Sequence, residues 1–402
     1  MEAIGMLSFL LMLVIVITAL PVLRRKSYNT FYYVHIIFSS LIFFLASVHC
    51  STDFYFLLPG LILWLSDWAW RLFRGDTGLR TKVTGRLELA EGGWCRITLP
   101  PVHQLPVGGV ASGGADVAGI EKKPSLMHPQ QIYYLNIPTI SKLENHAFTA
   151  ARVGTNSTGP LFLFQRTQLG IGKKKPKKLN KEWTWKAVVA AGDTRTESEQ
   201  ETELEASKKI EVRVEGPYVP SEVNGFETAD VVVCVVGGTG LTGAYSLALW
   251  WMERRARESD SRFVLIWTVR SRETAELAEW RELAERVVVE APNVSVVLHV
   301  SSEQGRLNVA AALREQLATA PQSTRAQAEK DTIPTESPER HTTDRSAWVY
   351  VSGPAGLLNS TDNACVDIER ELRIACKAKR KGNTPSQFAV NRLNHYVAKW
   401  EV

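Results

Sequence analysis

VVVCVVGGTGLTGAYSLALWW (Val231–Trp251) passes from an unbroken apolar run, through a glycine-rich turn, into an amphipathic helical pattern. An apolar run without alternation marks a strand buried on both faces, as in a parallel sheet. Gly238, Gly240 and Gly243 fit G-x-G-x-x-G by count, within the wider turn Gly237, Gly238, Thr239, Gly240, Leu241, Thr242. A turn of this kind lets backbone N–H groups approach a pyrophosphate at a helix N-terminus. The spacing is weak alone and gains meaning from the strand–turn–helix context; the alternative is a packing turn that binds no nucleotide. Further buried strands follow in FVLIWTVR (263–270), VSVVLHVS (294–301) and AWVYVSGP (347–354), with helical patterns between them. The region is read as an α/β parallel sheet.

The second of these strands ends in Val269-Arg270-Ser271-Arg272, where a dehydrogenase-type domain carries an acidic residue for the ribose hydroxyls. Arginine there suits a 2′-phosphate, hence NADPH, and Arg270 is the better candidate because Arg272 also reads as surface charge. Upstream, from about Gly78 to Tyr218, short alternating segments recur: KVTGRLEL, WCRITLP, QIYYLNIP, LFLFQ and KIEVRVEGP. Separated by Gly- and Pro-rich stretches, they predict an antiparallel barrel. The polar tracts Gly192–Lys209 and Thr319–Arg345 read as a mobile insertion and a surface loop.

The first 75 residues are of another kind. Three apolar segments, Ala3–Leu23, Phe31–Val48 and Phe54–Trp70, approach the roughly 20 helical residues that cross a bilayer. Arg24, Arg25 and Lys26 follow the first, Arg71 and Arg74 follow the third, and the link Cys50–Asp53 has no Lys or Arg. Those basic ends share one side, which sets the N-terminus outside and everything after about residue 75 in the cytosol. His35 and His49 bound the second segment. Fourteen helical steps rise roughly 21 Å and leave the two side chains within about 40° of one face. Polar groups within a span face a bundle interior or a cofactor, and neutral imidazole is an axial ligand of haem iron. Hydrogen bonding to neighbouring helices is the plainer alternative.

Other classes are disfavoured. The net charge of +5 owes part of its excess to KKKPKK (173–178), which lacks the interleaved aromatics of a nucleic-acid surface. The five cysteines show no C-x-x-C spacing, against a zinc site or a disulfide framework.

RRKSYNTFYYVHIIFSSLIFFLASVH (24–49) and LLPGLILWLSDWAWRLFRG (57–75) resemble two helices of the ferric-reductase and NADPH-oxidase family, the first of them its second haem-ligating helix. The resemblance makes His35 the ligand of an inner haem b and His49 that of an outer one. The family draws a second histidine for each haem from an earlier helix. Here the other six histidines lie beyond the spans, so half of the ligands are expected from preceding helices or a partner.

NIPTISKLENHAFTAA (136–151) resembles the family's FAD-binding segment, usually ending in His-Pro-Phe-Thr, with Ala147 replacing the proline. By that resemblance Phe148 stacks on the isoalloxazine, Thr149 hydrogen-bonds its reactive edge and His146 contacts the flavin. GGTGLT (237–242) and YVSGPAGL (350–357) resemble nucleotide-binding turns of the ferredoxin–NADP reductase fold, with Ser352-Gly353-Pro354 where Cys-Gly-Pro is usual. Gly243 stands where proline is more usual, and Trp400 resembles the terminal aromatic that shields the flavin.

The fold class implied is multidomain: transmembrane helices at 1–75, an antiparallel FAD barrel at 76–220 and an NADPH-binding parallel α/β domain at 221–402. The function implied is an integral-membrane, NADPH-dependent ferric-chelate reductase. Electrons would pass from NADPH through FAD and haem to an outer Fe(III) or Cu(II) chelate. A superoxide-generating NADPH oxidase and a haemless regulatory paralogue remain open beside it. Expected partners are membrane lipid and the metal chelate, with no nucleic acid.

Overall fold

The computed structural model describes residues 2–26, 28–49, 51–73, 82–102, 105, 128–141, 144–155, 157–165, 183–191, 208–220, 223, 225–258, 260–318, 345–380 and 388–398. The chain divides into two compact units, Met1–Gly75 and Asp76–Val402.

The first unit is helical: α1 (Glu2–Ala19), α2 (Pro21–Lys26), α3 (Tyr28–His49) and α4 (Ser51–Phe73). Large apolar side chains such as Phe9, Leu10, Phe44 and Leu63 point outward, as they do when the surrounding solvent is hydrocarbon. Two helices are long and apolar enough to cross a membrane, over Glu2–Ala19 and Thr30–His49. The third expected span is a 23-residue helix with Pro59 inside it, but its apolar stretch is only Phe54–Asp67. Asp67 and Arg71 end that stretch early, so a helix of sufficient length falls short in composition.

The second unit opens with β1 (Lys82–Ala90), β2 (Trp94–Thr98), β3 (Ile132–Asn136), β4 (His146–Thr149) and β5 (Leu161–Gln165), followed by α5 (Trp183–Ala191) and β6 (Lys208–Tyr218). The strands form one six-stranded sheet in the order β4-β3-β6-β1-β2-β5, antiparallel at every pairing. Alternation places Val83, Leu87, Ile97, Tyr133, Leu135, Phe162 and Val212 in a common core. Beyond β4 the chain meets the other edge strand at one isolated bridge, Arg152 to Leu161. The expected antiparallel strands are present, but closure into a barrel is not confirmed: among the described residues they form a sheet whose edges are joined only at this isolated bridge.

The parallel sheet follows: β7 (Val231–Gly237), α6 (Leu241–Arg255), β8 (Arg262–Val269), α7 (Ala278–Glu290), β9 (Val294–Val300), α8 (Ser301–Gln304), α9 (Val309–Ala318), β10 (Ser346–Ser352), α10 (Ala355–Arg380) and β11 (Arg392–Ala398). Its order is β11-β10-β7-β8-β9. All seven residues of β7 are buried, as a central strand covered on both faces requires. The order reverses between β7 and β10, and ligands of doubly wound sheets bind at the carboxyl ends of the strands flanking such a reversal.

The two sheets meet in a polar seam. The Trp94 indole donates to the Thr274 carbonyl at 2.9 Å, and the Arg96 guanidinium donates to Glu279 at 2.6 Å. Arg281 pairs with Glu91 at 2.6 Å. Behind these, Trp94, Ala151 and Leu163 join the core built on β7, β8 and α6.

Candidate functional site

At the reversal two glycine turns interlock. Gly353 has φ +143°, and a Cβ there would lie 2.9 Å from the Gly237 nitrogen. A Cβ at Gly240 would lie 2.4 Å from the Ser352 carbonyl oxygen. The ends of β7 and β10 thus approach as closely as backbones can, with no room for a side chain between them. Gly238, at φ +54°, faces open space instead. The Trp267 indole donates to the Gly238 carbonyl at 3.0 Å and the Thr242 hydroxyl to that of Thr239 at 3.2 Å. The turn therefore delivers its backbone to the N-terminus of α6 in a fixed shape. Leu241, Thr242 and Ser352 are buried and Thr239 is exposed.

Gly243 has its own reason. A Cβ there would fall 2.1 Å from the Tyr350 hydroxyl and 3.0 Å from the Gln130 side-chain oxygen. Proline is excluded because Tyr350 reaches under α6 from β10. Gln130 also donates its amide to the Gly243 carbonyl at 2.6 Å, while the Ser246 hydroxyl donates to the Pro129 carbonyl. The neighbouring Gln131 carbonyl accepts from the Ala150 N–H at 2.8 Å. Through this short relay the end of β4, which carries Thr149, is tied to the glycine turn of the other sheet.

His146 and Phe148 lie half-buried on β4, and Thr149 is buried. Their rings gather with one from α5: His146 to Trp183 is 4.7 Å between centroids and Phe148 to Trp183 is 5.5 Å. Phe164 closes the group at 5.7 Å from Phe148. Two polar atoms in this cluster, His146 Nε2 and Trp183 Nε1, are buried without a hydrogen-bond partner among the described residues. Such groups are costly unless something meets them. The Glu144 carboxylate is 3.9 Å from His146 Nε2. Burial outweighs that charge and pushes the His146 pKa below its ordinary value.

The sign of that shift gives a prediction. The unfolded chain takes up a proton near pH 6.5 and the folded one at lower pH, so stability falls as pH drops through that interval and then levels off. His146→Phe removes the step. The melting temperature of the variant should fall less between pH 7.5 and pH 5 than that of the wild type, and an unchanged difference excludes this group as the cause.

Arg270 lies exposed just past β8, and its carbonyl accepts from the Ser302 N–H at 3.1 Å. Pro354 packs its ring 2.9 Å from where a Cβ of Gly237 would stand. Trp400, the basic run at 173–178 and most of both polar tracts lie outside the described residues. In the first unit, His35 is exposed and its ring lies 5.4 Å from that of Phe31. His49 packs on α1, its Nε2 3.5 Å from where a Cβ of Gly5 would stand, and its Nδ1 is buried without a partner among the described residues.

Trp183, Gln130 and Trp267 carry no site role in the sequence reading, and Tyr350 enters it only as the first residue of YVSGPAGL. Gln130, Tyr350 and Trp267 act through contacts between segments far apart in sequence.

Residues 1–47 match the family model for the ferric reductase like transmembrane component. Over 270 residues the chain is 26% identical to ferric reduction oxidase 8, mitochondrial, of Arabidopsis thaliana, covering 66% of this chain and 31% of that protein. It is 25% identical over 229 residues to ferric reduction oxidase 2 of the same plant, covering 56% and 25%. The chain thus spans under a third of the length of these relatives. The resemblance to ferric reductases that the motifs imply is borne out. Similar solved structures include the cytochrome b5 reductase domain of Ulva prolifera nitrate reductase, at 11% identity and TM-score 0.40, covering 80% of this chain and 99% of that one. Another is the FAD/NAD binding domain of a nitric oxide dioxygenase from Vibrio cholerae, at 12% identity and TM-score 0.38, covering 79% and 97%.

Proposed function

We propose that the chain is the electron-transfer part of an integral-membrane, NADPH-dependent ferric-chelate reductase, with its two sheets in the cytosol. The observation that carries the reading is the tie from Gln130 to Gly243, which fixes the strand end bearing Thr149 to the glycine turn of the other sheet. A nicotinamide donor and a flavin acceptor need that juxtaposition.

The residues fit these groups. The glycine turn Gly237–Gly240, open at Gly238 and held against Gly353 and Pro354, and the N-terminus of α6 would hold a coenzyme pyrophosphate. Arg270 would face a 2′-phosphate, and the Ser352 hydroxyl would stand beside the nicotinamide. Phe148 would offer a ring to the isoalloxazine, Thr149 a hydroxyl to its reactive edge, and His146 and Trp183 their unmet nitrogens. Trp400 is the proposed covering aromatic. When bound, the flavin exchanges electron pairs for single electrons and the haems relay those across the lipid. His35 and His49 would hold them as half of a bis-histidine set, the remainder coming from other helices or a partner.

One observation favours a second reading, a haem-free regulatory paralogue: His49 rests against Gly5 on α1, closing the space beside its Nε2. Purification of the full chain in detergent tests both. The first reading expects retained flavin that NADPH bleaches, a bis-histidine haem spectrum lost in His35→Leu and His49→Leu, and Fe(II) production from a ferric chelate. Flavin reduction without any haem spectrum favours the second. Superoxide exceeding Fe(II) at limiting oxygen makes the chain an oxidase instead, and absence of both flavin and NADPH oxidation overturns the proposal.

A further inference from the structure

Beyond the carboxyl ends of β8 and β9 the turn after β8 and the short helix α8 are stitched together. The Ser301 hydroxyl donates to the Val269 carbonyl at 3.0 Å and the Ser302 N–H to the Arg270 carbonyl at 3.1 Å. Gln304 folds back to accept from the Val300 N–H at 3.1 Å. Across this seam the Arg272 guanidinium grips Glu303 with two hydrogen bonds, Nε at 3.2 Å and Nη2 at 2.8 Å. Both side chains are exposed, and the contact holds the Glu303 carboxyl below its ordinary pKa.

The fork of a guanidinium matches a phosphate and a carboxylate equally well. Here its hydrogen-bonding edge is already taken by a carboxylate supplied by the chain itself. On the nucleotide-binding reading given above, this is the end of the sheet that receives the adenosine ribose. A dianionic 2′-phosphate arriving there must displace Glu303 from Arg272 and then remain beside its charge. A ribose with free hydroxyls meets no such conflict and can donate to the carboxylate. We infer that Glu303 is a specificity-determining residue of this site, a built-in competitor that occupies Arg272 and narrows the preference for NADPH over NADH. Arg270, whose side chain is exposed on the same loop, is left as the guanidinium that reads the phosphate.

The test uses the adenosine halves of the two coenzymes, 2′,5′-ADP and 5′-AMP, titrated calorimetrically against the full chain in detergent. Glu303→Gln frees Arg272 without altering size, and should raise the affinity ratio of 2′,5′-ADP over 5′-AMP about fivefold in low salt, the scale of an exposed ion pair. The gain should shrink toward one near 1 M salt, where screening acts within about 3 Å. Arg272→Gln, which strands the carboxylate, should move the ratio the other way. If wild type binds both probes and neither variant shifts the ratio in low salt, the inference fails while the nucleotide site stands. If wild type binds neither probe, the nucleotide reading falls and takes the inference with it.

Discussion

Arg96→Met is expected to destabilise the second unit by about 3 kcal/mol, the scale of leaving one member of a buried ion pair uncompensated. Glu279 is the reason. Its side chain is 6% exposed, one oxygen accepts from Arg96 at 2.6 Å, and the other is buried with no partner among the described residues. Without the guanidinium that carboxylate keeps its desolvation and loses its counter-charge. Glu88, 3.4 Å from Arg96, then adds repulsion from β1. The double variant Arg96→Met/Glu279→Met should regain most of the loss, because replacing both charges by apolar groups is often near neutral. Denaturant midpoints followed by tryptophan fluorescence measure this, Trp94 and Trp267 lying 6.2 Å apart at the same seam. A single variant within about 1 kcal/mol of wild type would place the pair among ordinary surface contacts.

Gly240→Ala should abolish nucleotide binding and cost about 2–3 kcal/mol, as overpacking of a tight interior does. The backbone at Gly240 is ordinary right-handed helix, φ −60° and ψ −12°, so alanine suits it conformationally. The obstacle is space: the new Cβ would lie 2.4 Å from one backbone atom of Ser352 and 2.6 Å from another. Neither can move without parting β7 from β10. Gly238→Ala supplies the contrast, since it meets nothing within 4 Å and carries only the strain of φ +54°, about 1–2 kcal/mol. Thermal melts of the two variants should rank in that order. Equal losses would mean that close approach is not what glycine provides at 240.

That contrast also marks what could be read before any fold was known. The strand–turn–helix at Val231–Trp251 carries its own periodicity, and β7, the turn and α6 follow it. So do β8 and β10, whose runs of buried residues are unmistakable in composition, and β9, an edge strand buried only at Val294 and Val300. Strand β11 was missed because RLNHYVA mixes polar and apolar residues and lies at the sheet edge, where burial is partial. Helix α5 was missed because WTWKAVVAA combines aromatic and β-branched residues, which suit a strand equally. For the site, the glycines were legible as a pattern but not their separate tasks. Only the fold shows that Tyr350 fills the place beside Gly243 and that Glu303 reaches Arg272 from α8, 31 positions away. Chain distance hides such pairings from any local reading.

The register of β10 against β11, running from Ser346 with Arg392 to Ser352 with Ala398, has a practical consequence for handling the protein. Residues 392–398 cap the flank of a strand that carries Trp348, Val349, Tyr350 and Val351 in succession. A protease nick or an early stop codon before residue 392 would unzip the cap and expose an apolar ribbon ready to recruit another copy. Clipped material should therefore precipitate.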